Sequence, residues 1–517
     1  MRKNEEVVVE ITDIGINGEG VGHFDGCALF VRDAVVGDTV RCALTKVAKT
    51  YAYARLVQVI TPSPYRTRPR CPVAARCGGC QLQYYTYEAQ LDLKRRKVRE
   101  DLVRIGHFVP DFVDSVMKPI VGMEDPWRYR NKEQVPVGTA GTGGPEAGRR
   151  RADGGKADVV IGFYAVHSHS IVPMTDCLIG REENAEILKT ILAWMRKYRV
   201  PAYDESTGKG LMRHILIRNG RISGEVMVCL VASGNSLPHA SALTDALKVL
   251  PGMTSVALNE NTARTNVILG SRTFTLWGEP VISDSLRILD AELVPDEGAG
   301  EGSEGRWVFR ETGREVSFTI SARSFYQVNP VQTEKLYSLV RMLGGFSGTG
   351  RVLDLYCGVG TISLFIADAV DKVTGIEVIP EAVEDARKNA ENNGISSAEF
   401  IAGRAEEVLP GMEGSFDCII VDPPRKGLDE VCINTILGLM PPKVIYVSCD
   451  PATLARDLAK LNAGGYEIKT VVPVDQFAHT VHVECVSLLQ RMSNTRERTI
   501  TLDVEMEDYH RIKNEGR

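Results

Sequence analysis

Two residues near the C-terminus have the types and settings that covalent chemistry needs. Cys449 follows the apolar run Val444-Ile-Tyr-Val-Ser and precedes Asp450-Pro451, so a strand ends abruptly on a thiol. A cysteine at a strand end is commonly a small buried hydrophobe. The turn built by Ser448 and Asp450-Pro451 argues for a nucleophile at a ligand-binding edge instead. Such a thiol suits a uracil ring, whose C5 is too weak to attack a methyl sulfonium unaided. Addition of the thiolate at C6 makes C5 a carbanion equivalent, and a base must then remove the C5 proton. Glu484, in Asp475-Gln-Phe-Ala-His-Thr-Val-His-Val-Glu-Cys, has apolar neighbours that would raise its pKa toward that of a general base. Strand alternation places Thr480, His482 and Glu484 on one face. His479 is out of phase with that face, which disfavours a metal site of His479, His482 and Glu484.

Nucleophile and base need an electrophile, and a third segment offers a place for one. Val352-Leu-Asp-Leu-Tyr-Cys-Gly-Val-Gly-Thr is an apolar strand that breaks into glycines before a helix. It lacks both the Gly-Lys-Ser/Thr of a phosphate loop and the third glycine of a dinucleotide site. Asp354 suits an amino-bearing ligand, and Glu377, at the end of the next strand, suits a ribose diol. Together they read as a site for S-adenosylmethionine. Asp422-Pro-Pro-Arg-Lys-Gly closes another strand at the same edge, with Arg425 where amino-group methylases carry a stacking aromatic.

These pieces need scaffolding, and 517 residues exceed one hydrophobic core. Residues 5–60 read as short strands with turns at Gly15, Gly18, Gly20 and Gly22, a five-stranded barrel of the oligonucleotide-binding type. Thr61-Pro-Ser-Pro is a stiff linker. Met212–Arg218 and Gly224–Val231 read as paired strands. Residues 138–158, rich in Gly and Arg, read as an exposed loop, and 284–310 as a surface insertion. From 332 onward strand and helix alternate, which argues a parallel, doubly wound sheet. The net charge of -6 does not mark a nucleic-acid binder, but nine basic residues against two acids between Ser63 and Arg99 can hold phosphates, or else line a solvated helix face. No apolar run approaches the ~18 residues that span a bilayer, and the start has no signal-peptide core, so a cytoplasmic location and reduced cysteines are expected. Cys71, Cys77 and Cys80, spaced C-x5-C-G-G-C, look like three ligands of one metal centre; free structural cysteines are the alternative.

The C-terminal half resembles the uracil-5 RNA methyltransferase family in five blocks: Ser324-Phe-Tyr-Gln-Val-Asn, Asp354-Leu-Tyr-Cys-Gly-Val-Gly, Asp422-Pro-Pro-Arg, Ser448-Cys-Asp-Pro-x-Thr-Leu-Ala-Arg-Asp, and Asp475 to Glu484. The first 60 residues resemble the TRAM domain through I-x-x-I-G-I-N-G-E-G-V-G at 11–22, V-G-D at 36–38 and K-T-Y-A-Y-A-R at 49–55. The resemblance implies Cys449 as nucleophile, Glu484 as base, and Gln327, Tyr356, Glu377 and Asp422 around the cofactor. It extends to the cysteine motif and implies Cys177 as a fourth thiolate, a set that fits a [4Fe–4S] cluster. The expected multi-domain architecture is a TRAM barrel at 1–62, an α+β central domain with the cluster at 63–320, a Rossmann-like methyltransferase domain at 321–492, and a tail at 493–517. Asp450 stands where Asn is usual, Ala478 where Pro is common, and Arg404 where an acid or amide often meets the adenine.

The expected substrate is 23S rRNA, because the family's rRNA enzymes commonly carry both barrel and cysteine motif, with tRNA the alternative. A monomer is expected. A radical S-adenosylmethionine enzyme is a rival reading, disfavoured by the C-x5-C-x2-C spacing. A non-catalytic RNA-binding protein is another, disfavoured by Cys449 and Glu484.

Overall fold

The computed structural model describes residues 1–140, 158–296, 304–412 and 414–492. Most of the 138–158 segment, the middle of 284–310 and the tail at 493–517 lie outside the described residues.

Alternating apolar residues close the N-terminal strands into a barrel of order β1-β2-β3-β5-β4. These are β1 (Glu6–Ile14), β2 (Gly20–Phe24), β3 (Cys27–Arg32), β4 (Thr39–Val47) and β5 (Tyr51–Thr61). Val7, Val9, Ile11, Leu29, Val31, Val40 and Leu44 fill it. Gly20 and Gly22, expected in turns, lie within β2. A Cβ on Gly22 would sit 2.5 Å from the Glu10 carbonyl, so glycine there serves close strand approach. Outside the barrel, Phe30, Tyr51 and Tyr53 cluster with ring centroids 5.4–6.2 Å apart. Tyr51 and Tyr53 are exposed.

Two helices follow, α1 (Tyr87–Arg104) and α2 (Pro110–Val116). Although they lie between barrel and central sheet in sequence, their apolar residues Val98, Leu102, Val113 and Val116 join the core of the C-terminal sheet. The central sheet has order β12-β11-β10-β9-β6-β7-β8. Its strands are β6 (Lys132–Thr139), β7 (Val159–Tyr164), β8 (Ile171–Pro173), β9 (Met212–Asn219), β10 (Val226–Ala232), β11 (Met253–Glu260) and β12 (Arg272–Gly278). Helices α3 (Asn184–Lys197) and α4 (Ala240–Leu247) share its core. β9 and β10 pair antiparallel as expected.

The 284–310 stretch corrects its expectation. It forms part of a two-stranded ribbon, β13 (Val281–Val294) and β14 (Arg306–Ser321). Ile282, Leu286, Ile288, Val316, Phe318 and Ile320 bury one face with α5 (Pro330–Gly344). The clustered glutamates and glycines masked this two-residue period.

The C-terminal sheet has order β17-β16-β15-β18-β19-β21-β20. It comprises β15 (Arg351–Leu355), β16 (Lys372–Glu377), β17 (Ala398–Ala402), β18 (Cys418–Val421), β19 (Lys443–Ser448), β20 (Tyr466–Val474) and β21 (Glu484–Arg491). The crossovers include α6 (Thr361–Ile366), α7 (Pro380–Asn392), α8 (Ala405–Val408), α9 (Glu430–Leu439) and α10 (Pro451–Ala463). Six strands share one direction, but β21 enters antiparallel between β19 and β20, so the sheet is mixed rather than wholly parallel.

Candidate active site

Strand order reverses beside β15, and in open α/β sheets that switch point opens a crevice at the carboxyl ends of the strands. β19 delivers Cys449 to this edge. Because β21 runs the opposite way, its first residue reaches the same edge. Ser448 pairs with Cys485 at the end of the β19–β21 ladder, and Cys449 and Glu484, the next residue of each, lie at the crevice edge near enough for Glu484 to act on the thiol electrostatically. Asp450 caps α10, its Oδ1 accepting from the N–H groups of Ala452 at 3.0 Å and Thr453 at 3.1 Å. Asn performs that cap equally well, which accounts for the departure at 450. Arg456 and Asp457 hold the loop after β18: Asp457 accepts from Leu428 N and Tyr446 Oη, and Arg456 donates to the Lys426 carbonyl.

The electrostatics of this edge are acidic. Glu484 is 4% exposed, and its carboxyl has no hydrogen-bond or ion-pair partner among the described residues. Burial, with Asp422 adding to it and Arg425 opposing, raises it to about 8. Burial and the nearby Glu484 push the Cys449 thiol up to about 11, again with Arg425 opposing. Asp422 and Asp354 are each raised by burial to about 7. Asp354 accepts from Ser363 Oγ at 2.5 Å through one oxygen, while the other is buried without a partner. Among the described residues no cation pairs with Asp354 or Asp422, and a ligand carrying sulfonium and ammonium charges fits this crevice. Arg425, which the sequence reading used only to reject a stacking aromatic, is the cation that favours thiolate and carboxylate here. No local signal marked it, because its effect comes from β18 lying beside β19.

The other expected cofactor residues surround the same crevice. Glu377 accepts from Gly358 N at 3.1 Å and Ile379 N at 2.9 Å, which fixes its carboxylate at the end of β16. Gly360 caps α6 at φ 80°, and a Cβ there would meet Phe400 at 2.8 Å. Gln327 shares a side-chain hydrogen bond with Tyr337. Tyr356 follows β15 with a left-handed φ of 67°, and its N–H donates to the Ile376 carbonyl of the neighbouring strand at 2.9 Å. Arg404 is turned outward to Glu406 and Glu407.

Thr480 to Val483 are not strand, contrary to the alternation reading. His479 takes φ 66° and turns the chain, and Thr480 Oγ1 donates to the Phe477 carbonyl at 2.7 Å. His479 is the centre of a buried knot. Its carbonyl accepts from Gln81 N and Leu82 N, its N–H donates to Gln90 Oε1, and its ring lies 3.9 Å from that of Trp127. Nearby, Lys94 Nζ meets Asp475 at 2.5 Å and Tyr87 Oη donates to the same carboxylate at 2.7 Å.

Five of the nine residues of the basic run form ion pairs within the protein, two of them largely buried and three at the surface. Arg66, Lys94, Arg95, Arg96 and Arg99 pair with Asp38, Asp475, Glu304, Asp13 and Asp114. The partners come from distant segments, so a local charge count overstated the free cations.

No group of three or more His, Cys, Asp or Glu side chains among the described residues could hold a single metal ion. Cys71, Cys77, Cys80 and Cys177 nevertheless line one cavity of about 440 Å³. Burial raises Cys80 to about 11 and Cys177 to about 12, with neighbouring thiols adding to both.

Comparison with known proteins agrees with this geometry. Residues 307–492 match the tRNA (uracil-5-)-methyltransferase family and residues 2–57 the TRAM domain. An RNA methyltransferase of Halalkalibacterium halodurans is 41% identical over 95% of this chain and 98% of its own. One from Clostridium acetobutylicum is 40% identical, again over 95% and 98%. A solved structure, the Pyrococcus abyssi tRNA (uracil-54, C5)-methyltransferase in complex with S-adenosyl-L-homocysteine, superposes with a TM-score of 0.68 at 25% identity. That match covers 93% of this chain and all of the other. Fold and crevice define an S-adenosylmethionine-dependent RNA methyltransferase. The chain belongs to the RNA uracil-5 methyltransferase family. Among the described residues no helix is long and apolar enough to cross a membrane.

Proposed function

We propose that this enzyme methylates C5 of a uridine in 23S rRNA, with Cys449 as nucleophile and Glu484 as base. The observation that supports the mechanism is the end of the β19–β21 ladder, where Ser448 pairs with Cys485 and the adjacent Cys449 and Glu484 lie at one crevice edge. Cys449 sulfur adds to C6, and the ring electrons shift to make C5 nucleophilic. S-adenosylmethionine supplies the methyl group. Glu484 then takes the C5 proton, the C5–C6 double bond re-forms, and the thiolate leaves C6. Gln327, Tyr356, Glu377 and Asp422 bind the cofactor. Burial is the main cause that raises Glu484 and Cys449, and a cationic ligand beside Asp422 offsets the carboxylate repulsion that adds to it, which favours their ionised forms. The uridine must leave its stack to reach Cys449.

Cys71, Cys77, Cys80 and Cys177 hold a [4Fe–4S] cluster in this reading. Four thiols line one cavity, and burial raises three of them, Cys77, Cys80 and Cys177, so a cationic iron centre there would stabilise them as thiolates. Its role is structural, since the cavity walls carry all four ligands. Assignment to 23S rRNA rests on the barrel and the cysteine motif occurring together. A tRNA substrate is the second reading, favoured by the Pyrococcus abyssi neighbour, a tRNA enzyme. Incubating the protein with labelled cofactor and unmodified 23S rRNA fragments or tRNA transcripts tests this. 5-Methyluridine appearing only in tRNA refutes the rRNA assignment, and none in either refutes the reaction.

A further inference from the structure

A second cavity, of about 240 Å³, lies in the central sheet, distinct from the Cys449 edge and from the cysteine-lined cavity. The end of β6, Tyr164 of β7, the start of β9 and the 203–206 turn line it. Its walls are aromatic: Tyr164, whose ring lies 5.1 Å from that of His169, and Tyr203, which has the Arg213 guanidinium 4.5 Å from its ring centroid. Arg213 is 5% exposed and donates to the carbonyls of Asn261 and Ala263. No carboxylate pairs with it among the described residues, so it rigidly backs Tyr203. His214, also in the wall, is 7% exposed, and its Nδ1 is buried without a partner. Burial lowers its pKa to about 4, so the ring is neutral and offers hydrogen bonds rather than charge. Asp204 uses Oδ1 for the N–H and hydroxyl of Ser206, which leaves Oδ2 with no partner among the described residues.

We infer that this cavity receives a second unstacked nucleobase of the RNA, a guanine, between the rings of Tyr164 and Tyr203. The volume suits one planar ring system, smaller than sites for drug-sized ligands. Aromatic walls stack bases irrespective of sequence. The edge groups select: guanine presents N1–H and the N2 amino group side by side to a carboxylate, here Asp204, and ring acceptors to a neutral imidazole. Uracil and adenine lack the paired donors. The carboxylate also disfavours a phosphate in the same place. The cavity connects to the catalytic edge through the cysteine loop. Gly78 N donates to the Tyr164 carbonyl, and Gln81 and Leu82 farther along that loop hold His479, five residues before Glu484. A base seated here fixes RNA on a body rigidly tied to the base that acts.

The inference rests on the RNA reading above, and its test separates the two. RNA of both kinds, unmodified 23S fragments and tRNA transcripts, is made with 6-thioguanosine replacing part of the guanosine and irradiated in the near ultraviolet with the full-length protein. Peptides containing Tyr164 or Tyr203 should carry the crosslink. Tyr203→Leu and His214→Phe should lose it and raise the RNA KM roughly tenfold, while kcat at saturating RNA changes less than about twofold and Tyr203→Phe behaves as wild type. Crosslinks mapping only elsewhere on wild-type protein overturn the subsite even when methylation proceeds, and so does an unchanged KM in the folded variants. Failure to methylate any RNA defeats the uridine reading, and the crosslink position still decides the subsite.

Discussion

Glu484→Gln separates the proposed base from every other part of the site. In the folded protein this carboxyl stands at about 8 instead of its ordinary 4.5. The unfolded chain therefore releases the proton at lower pH than the folded one, and folding is penalised as pH rises from about 4.5 to about 8. At about 1.4 kcal/mol per pH unit, the penalty in the cofactor-free protein reaches an upper limit of about 5 kcal/mol and is constant above that range. Glutamine fills the same space without ionising in either state. The variant should therefore be more stable than wild type at pH 8 and indistinguishable at pH 4, as read by chemical denaturation. Catalysis should change in the opposite direction. The thiol still adds to C6 and C5 still takes the methyl group, but the C5 proton stays, and release should slow by roughly 10²–10⁴-fold. A denaturing gel should then show a methylated protein–RNA adduct accumulating. Normal product release would assign the base elsewhere, and equal stability of the two proteins at pH 8 would remove the case for a desolvated carboxyl.

Cys449→Ala should bind S-adenosylmethionine normally yet neither methylate nor crosslink to 5-fluorouridine RNA; retained turnover contradicts covalent catalysis. Anaerobically purified protein should be brown with about four irons per chain, and Cys177→Ala should lose them; one zinc and no iron would refute the cluster. Tyr51→Ala with Tyr53→Ala should weaken RNA binding by roughly 1–3 kcal/mol per stacked base, raising the RNA KM with the cofactor KM unchanged, and a barrel that is only structural would leave both constants alone. Lys94→Met strands the Asp475 carboxylate in the interior and should destabilise the fold by about 3–5 kcal/mol in chemical denaturation; a loss under about 1 kcal/mol would show that water reaches the site.

The residues legible in the sequence were those whose meaning is local. A thiol at an abrupt strand end, a glycine break after an apolar strand and an acid at the next strand end each carry their own context, and the structure gathers Cys449, Glu377 and Asp422 at one edge. Barrel strands were legible for the same reason, since alternation is a nearest-neighbour pattern. What escaped depended on distant partners. Arg96 and Arg99 read as free cations because Asp13 and Asp114, which neutralise them, lie on other elements. Thr480 to Val483 alternate like a strand, but the left-handed turn at His479 is imposed by Gln81, Leu82 and Gln90 from far upstream. Gly22 looked like a turn because its reason, the Glu10 carbonyl, belongs to the neighbouring strand.

The position of β21 has a consequence for how the molecule is made. The strand that carries Glu484 is the last in the described sheet, yet it lies between β19 and β20. During synthesis both neighbours emerge from the ribosome before it. Until β21 slots in, each presents an open hydrogen-bonding edge that can pair with another chain. Cys449, the proposed nucleophile just after β19, exists by then, but the carboxyl of Glu484 does not. Activity therefore arrives with closure of the sheet, and a nascent chain cannot form the complete pair before its final strand is in place.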